Sequence, residues 1–329
     1  MSQEIPGGLT QVTDFLVGHA SDFKNLTGCT VIICPPGTIG GVDIRGSASG
    51  TRQLDALLGY HIVNETQAVL LSGGSAFGLD AGGGVMEFLE ERGLGFDVAI
   101  TRVPTVATAV IFDLGLGNCR ARPDKAMGYT ACTQAHAGPV AEGSIGVGTG
   151  ASVGKLFGIS QGMKSGLGSV CLAGPNGLLV GALVVVNAFG DVRDYATGKI
   201  IAGARLSPDS PEFADSAAYI RRGYVRQQFA DPNTTLGVIA TNARLTREQA
   251  QKVAQMGHNG LARTITPIHT LFDGDIVFVL SHPKVDADLH IIGLLGEEAL
   301  RLAIDRAVKT AHGLGVLPAY EDELSLNKQ

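Results

Sequence analysis

Tryptophan is absent from this chain of 329 residues, and charge is scarce: 17% of residues are Asp, Glu, Lys or Arg, for a net charge of −6. Such a balance offers no basic footprint for nucleic acid and no basic amphipathic helix for a membrane surface, so the expected partner is small or uncharged. No apolar run reaches the roughly 18 residues of a membrane span, and Met1 to Gly8 lacks a basic region followed by an apolar one. A soluble, cytoplasmic protein is expected. The five cysteines (Cys29, Cys34, Cys119, Cys132, Cys171) are odd in number and form no C-x-x-C pair, which disfavours a disulfide framework or a zinc site. Eight histidines include no H-E-x-x-H, so no metal and no cofactor are expected, and His258 and His269 read as ordinary surface or core residues.

Glycine, by contrast, is abundant. The 46 glycines lie between apolar runs rather than in repeats, which points to tight turns and close backbone approaches instead of low complexity. Apolar runs at 29–34, 40–46, 68–72, 181–187, 234–240 and 276–280 read as strands. Helices are expected through Val85–Arg92, behind the capping box Thr246-Arg247-Glu248-Gln249, and over about Leu289–Ala311. Strands and helices interleave without a Pro/Ser-rich linker, so one layered domain over 1–329 is expected. The segment containing Arg221, Arg222, Arg226, Gln227 and Gln228 reads as its most exposed connection.

Several constellations bear on chemistry. Asp231-Pro232-Asn233-Thr234-Thr235 is a polar turn running directly into the strand Leu236-Gly237-Val238-Ile239-Ala240. Pro232 and Asn233 give access to the turn geometry needed for a hydroxyl to attack the preceding carbonyl. A threonine freed at its amine carries nucleophile and base on one residue, because that amine titrates at about 7.7–8.0. Many plain turns look the same. Gly148 to Lys155 invites a phosphate-loop reading, but its spacing is wrong and Leu156 stands where the metal-binding Ser/Thr belongs; a Gly-rich turn with a solvated lysine is the competing reading. Gly73-Gly74-Ser75-Ala76-Phe77-Gly78 lacks the spacing of a serine-nucleophile turn. Asp273-Gly274-Asp275 reads alone as a solvated turn, and Asn187 at a strand end as a polar cap able to donate to an oxyanion.

Together these segments resemble the L-aminopeptidase/D-esterase (DmpA) family, which includes β-peptidyl aminopeptidases and 6-aminohexanoate-oligomer hydrolases. The likeness runs along nearly the whole chain through Gly41–Gly46, Leu71–Ala81, Arg122–Ala126, Gly150–Lys155, Val184–Asn187, Asn233-Thr234-Thr235 and Asp273-Gly274-Asp275. It implies an α-β-β-α sandwich and a precursor that cuts itself between Asn233 and Thr234. The α chain 1–233 and β chain 234–329 would stay together and assemble as a tetramer of heterodimers. By the same resemblance Thr234 matches the nucleophile, Asn187 an asparagine near the oxyanion, Lys155 a lysine lining the cleft, and Asp273 and Asp275 the acidic pair of the oligomer-hydrolase branch. Many relatives carry a tyrosine where this chain has Phe112, in the expected strand Val110–Asp113. The implied substrate is a small amide, short peptide or aminohexanoate oligomer. An acyl transferase of the ornithine acetyltransferase type, or an uncleaved binding protein, are the competing readings.

Overall fold

The computed structural model describes residues 3–224 and 233–322; Arg226, Gln227, Gln228, Asp231 and Pro232 lie outside the described residues. Arg221 and Arg222 are exposed, as expected of that connection. Eleven strands build the two main sheets. They are β1 (Gln3–Ile5), β2 (Leu16–Asp22), β3 (Thr27–Ile33), β4 (Ile39–Ile44), β5 (Thr51–Arg52), β6 (Ala68–Ser72), β7 (Val106–Val110), β8 (Leu167–Ala173), β9 (Leu179–Asn187), β10 (Thr234–Ala243) and β11 (Ile276–Val285). The larger sheet has the order β1-β8-β9-β10-β11-β4, and the smaller the order β2-β3-β6-β7-β5. All main-sheet pairings are antiparallel except β10 with β11 and β6 with β7.

Alternation along the strands decides the layers, since successive side chains leave opposite faces. In β10, Leu236, Val238 and Ala240 point into a core shared with Ile32, Val69, Leu71 and Ala107 of the smaller sheet, whereas Ile239 faces outward. In β11, Ile276, Phe278 and Leu280 join the shared core while Val277 and Val279 turn the other way. Every one of these side chains is buried, and full burial contributes about 1.5–3 kcal/mol for each of the larger ones.

The outer faces are covered by helices. α1 (Ala81–Glu90) and α2 (Lys125–Thr133) lie on the smaller sheet through Val85, Leu89, Ala131 and Cys132. α4 (Arg247–Thr264) and α5 (Leu289–Lys309) lie on the larger through Val253, Leu261, Leu300 and Ile304; a short α3 (Ser216–Arg221) precedes β10. The layers therefore run α-β-β-α, as expected. The capping box at α4 forms, with Thr246 accepting from Gln249 N–H and the Gln249 side chain accepting from Thr246 N–H. Glycine sets how closely α1 and α2 meet: a Cβ at Gly84 would lie 1.8 Å from the Lys125 carbonyl oxygen, and one at Gly128 2.0 Å from that of Ala81. No described helix is long and apolar enough to cross a membrane.

Candidate active site

The register of the larger sheet brings Thr234 and Asn187 together. Thr234 opens β10 opposite Asn187, the last residue of β9, and both are buried. On the other flank Asn233 bridges to Asp273 in parallel, just before β11 begins. The peptide joining Asn233 to Thr234 thus sits at the mouth of two adjacent central strands. Its carbonyl oxygen accepts from Thr234 Oγ at 2.5 Å and from the Gly274 N–H at 2.8 Å.

Both carboxylates of the Asp-Gly-Asp turn are buried and bonded within the protein, which overturns the solvated-turn reading. Asp273 accepts from Phe189 N–H (3.2 Å), Thr270 N–H (3.1 Å) and Thr270 Oγ (2.5 Å). Burial first, and the neighbouring Asp275 charge second, raise its pKa to about 6. Asp275 accepts from Thr235 N–H at 2.7 Å and from the backbone and ring of His269 at 3.1 and 2.9 Å. The turn is held from outside by Arg45 and Ala48, whose N–H groups donate to the Asp275 and Asp273 carbonyls. Gly46 allows this approach, because a Cβ there would stand 2.2 Å from Asp275 N.

Lys155 is 1% exposed, so the solvated-lysine reading fails as well. Its Nζ donates to Asn187 Oδ1 at 2.6 Å, and Ser152 N–H donates to the same oxygen at 3.2 Å. These bonds orient the Asn187 amide, whose Nδ2 donates to the Phe112 carbonyl at 3.0 Å. β7 ends at Val110, so Phe112 and Asp113 lie beyond it rather than in the expected strand: Ile111 N–H still bonds Ser72, but the chain then turns toward the site. Asp113 accepts from Thr27 Oγ (2.7 Å) and Gly74 N–H (2.7 Å). Its pKa is raised by burial, against the pull of those two bonds and of the Lys155 charge. The Gly73-Gly74 segment is a seat for this carboxylate, ahead of a short 3-10 turn (Ser75–Asp80) into α1.

A second buried lysine, Lys164, lies nearby on a strand paired with Ser152-Val153, and donates to the Ala151 and Ser165 carbonyls at 2.7 and 3.0 Å. Burial, reinforced by Lys155, lowers its pKa to about 7. Apolar side chains close the site: Phe189 packs on Phe272 with ring centroids 5.4 Å apart, beside Leu156, Ala204 and Ala214.

All five residues singled out from the sequence, Thr234, Asn187, Lys155, Asp273 and Asp275, converge here. Thr27, Asp113, Lys164 and the Gly274 N–H were not singled out, and His269, read from the sequence as an ordinary surface or core residue, bonds Asp275. The glycine between two aspartates was visible, but its N–H is a backbone group without a sequence signature, and Thr27 and Asp113 are 86 residues apart. Among the described residues no group of three or more His, Cys, Asp or Glu side chains could hold a metal ion.

The sequence profile of peptidase family S58 matches residues 8–312. An uncharacterized aminopeptidase of Mycobacterium leprae (strain TN) is 40% identical over 316 residues, covering 89% of this chain and 85% of that protein. The 6-aminohexanoate-oligomer endohydrolase of Kocuria sp. (strain KY2) is 32% identical over 281 residues, covering 82% and 73% respectively. Among solved structures, the L-aminopeptidase D-Ala-esterase/amidase of Ochrobactrum anthropi, described as a variant of the Ntn hydrolase fold, superposes with a TM-score of 0.71 at 18% identity, covering 100% of this chain and 94% of its own. The β-aminopeptidase of Burkholderia sp. gives 0.70 at 19% identity, covering 99% and 95%. The layered sandwich is accordingly of that fold.

Proposed function

Because the chain belongs to peptidase family S58 and is a hydrolase of amide bonds, we propose that it cuts itself between Asn233 and Thr234 and then works through the freed Thr234. The observation that carries this reading is the Asn233 carbonyl, held between the Thr234 hydroxyl and the Gly274 N–H at the start of a central strand. A hydroxyl bonded to the carbonyl it must attack, with a backbone donor already on the oxygen that becomes negative, is the arrangement an N→O acyl shift needs.

In that step Oγ forms a bond to the Asn233 carbonyl carbon, the C–N bond breaks, and the hydroxyl proton passes to the departing Thr234 nitrogen, with Asp273 as the carrier. Water then hydrolyses the ester, leaving Asn233 as a carboxylate and Thr234 as a free amine. In turnover that amine takes the Oγ proton, Oγ attacks the substrate amide, and the leaving amine is protonated as the acyl-enzyme forms. Water releases the acid. Asn187 donates to the substrate oxyanion through Nδ2, an interaction worth about 3–4 kcal/mol when aligned. Lys155 holds the Asn187 amide through Oδ1 and opposes a second positive charge on the Thr234 amine. Asp275 fixes the strand start through the Thr235 N–H.

The substrates we assign are short amides, uncharged or bearing a free N-terminal amine: small-residue amino-acid amides, β-peptides and aminohexanoate oligomers. Both carboxylates are buried and internally bonded, so their part is in proton transfer and positioning rather than as an exposed lure for a substrate ammonium. We place the enzyme in the cytoplasm as a tetramer of αβ pairs, a state that native mass would report. Intact mass of purified protein tests the central step: fragments 1–233 and 234–329 are expected, and a single full-length mass after prolonged incubation at neutral pH overturns it. A panel of amino-acid p-nitroanilides, β-peptides and linear aminohexanoate oligomers then ranks substrates, and acetyl transfer to an amine without any hydrolysis would replace this assignment with a transferase.

A further inference from the structure

We propose that His269 is the positioning residue that fixes Asp275, and through it the start of β10, for the self-cleavage and turnover argued above, on which this inference rests. Asp275 is fully buried and held on both oxygens: Oδ1 by Thr235 N–H, and Oδ2 by two donors from one residue, the backbone N–H and ring Nδ1 of His269. This two-point hold is made from a left-handed backbone, φ 55° at His269, a conformation that side-chain-bearing residues rarely adopt. Since an ionised carboxylate only accepts, the hydrogen-bond network assigns the ring proton to Nδ1.

The ring is fixed on its other side too. His258 packs edge-on against it with centroids 4.9 Å apart, and His258 Nε2 donates to the Asp43 carbonyl at 3.1 Å. Asp43 pairs with Arg45 at 3.1 Å, and the Arg45 N–H returns to the Asp275 carbonyl. The side chain and main chain of Asp275 are therefore set by one closed circuit through His269, His258, Asp43 and Arg45. Asp275 in turn holds the N–H of Thr235, the residue after the nucleophile, so a displaced carboxylate displaces Thr234 Oγ. An error of about 1 Å in such a geometry costs on the order of 10²-fold in rate.

Two substitutions separate the ring's donor from the backbone conformation. His269→Gly accepts the left-handed backbone but has no side-chain donor, whereas His269→Asn tolerates that backbone and places an amide nitrogen near the position of Nδ1. Fragment appearance is followed by intact mass, with thermal melting alongside, and kcat and KM are measured on the processed fraction. Processing in His269→Gly is expected to slow about 100-fold and in His269→Asn to stay within about tenfold of the unmodified protein, with kcat falling and KM nearly constant. A glycine variant that processes normally overturns the assignment, as does an asparagine variant as slow as glycine or rates that only track lost stability. An unmodified chain that stays whole overturns the self-cleavage reading and this one with it. A cleaving unmodified chain beside a normally processing His269→Gly overturns this one alone.

Discussion

Each sheet contains one parallel pair, β6/β7 in the smaller and β10/β11 in the larger, and the two pairs bring opposite ends to the site. β6 and β7 arrive with their C-terminal ends: beyond β7 the Phe112 carbonyl accepts from the Asn187 amide and Asp113 accepts from Thr27, and beyond β6 the Gly74 N–H donates to the same Asp113. β10 and β11 arrive with their N-terminal ends and contribute the Thr234 hydroxyl and the Gly274 N–H, both aimed at one carbonyl. The smaller sheet thus supports, and the larger presents the groups that the proposed mechanism uses. Changes on the larger sheet should remove chemistry while sparing the fold, and changes on the smaller should do the reverse.

The largest effect is expected from Thr234→Ala, which should stay uncut and lose all measurable activity, while Thr235→Ala, whose buried hydroxyl has no partner among the described residues, still processes. Intact mass reads both, and equal loss in the two would mean that the wrong threonine has been assigned. Next, Asn187→Ala should lower kcat by about 10²–10³, the usual loss for one oxyanion donor. Unchanged kcat would leave Asn187 as a strand-end cap only.

Asp113→Ala probes the supporting side. It strands the Thr27 hydroxyl and the Gly74 N–H, each costing about 1–3 kcal/mol when buried and unpaired, so the melting temperature should fall by several degrees. Processing should slow by less than about tenfold; abolished processing in a stable Asp113→Ala protein would erase the division between the sheets.

The smallest and most diagnostic change is with pH. Asp273 is held at about 6 in the folded chain, above its ordinary 3.8, so the folded state binds this proton more tightly than the unfolded. The stability it contributes is complete below about pH 3.8 and is lost as pH rises through about 6. On the proposed mechanism Asp273 takes up the proton in its ionised form, so processing should accelerate over the same interval. Asp273→Asn should flatten both profiles, and a slope that persists in the variant would place the titrating group elsewhere.

Much of this was legible in the sequence because the strands announce themselves as apolar runs between turns, and β10 carries the run Leu236–Ala240 two residues further back, to Thr234. Asn187 was visible for the same reason, as the one polar residue closing the run Leu183-Val184-Val185-Val186. What was hidden depends on burial and long range. A lysine after a glycine-rich turn reads as solvated until the fold places Asn187 Oδ1 beside it, and His269 carries no motif because its partners are a carboxylate six residues on and a histidine on α4. Phe112 was misplaced in a strand because hydropathy continues through it although the last bond of the pairing is made by Ile111 N–H.

The segment after Asn233 supplies β10, α4, β11 and α5, and its two strands in the larger sheet sit side by side between β9 and β4, which come from the segment before it. A cut at Asn233–Thr234 would therefore leave a piece whose strands are bordered on both sides by the other piece. Unfolding would then also separate the two pieces of each pair, and the melting temperature of the mature enzyme should rise more steeply with protein concentration than that of Thr234→Ala.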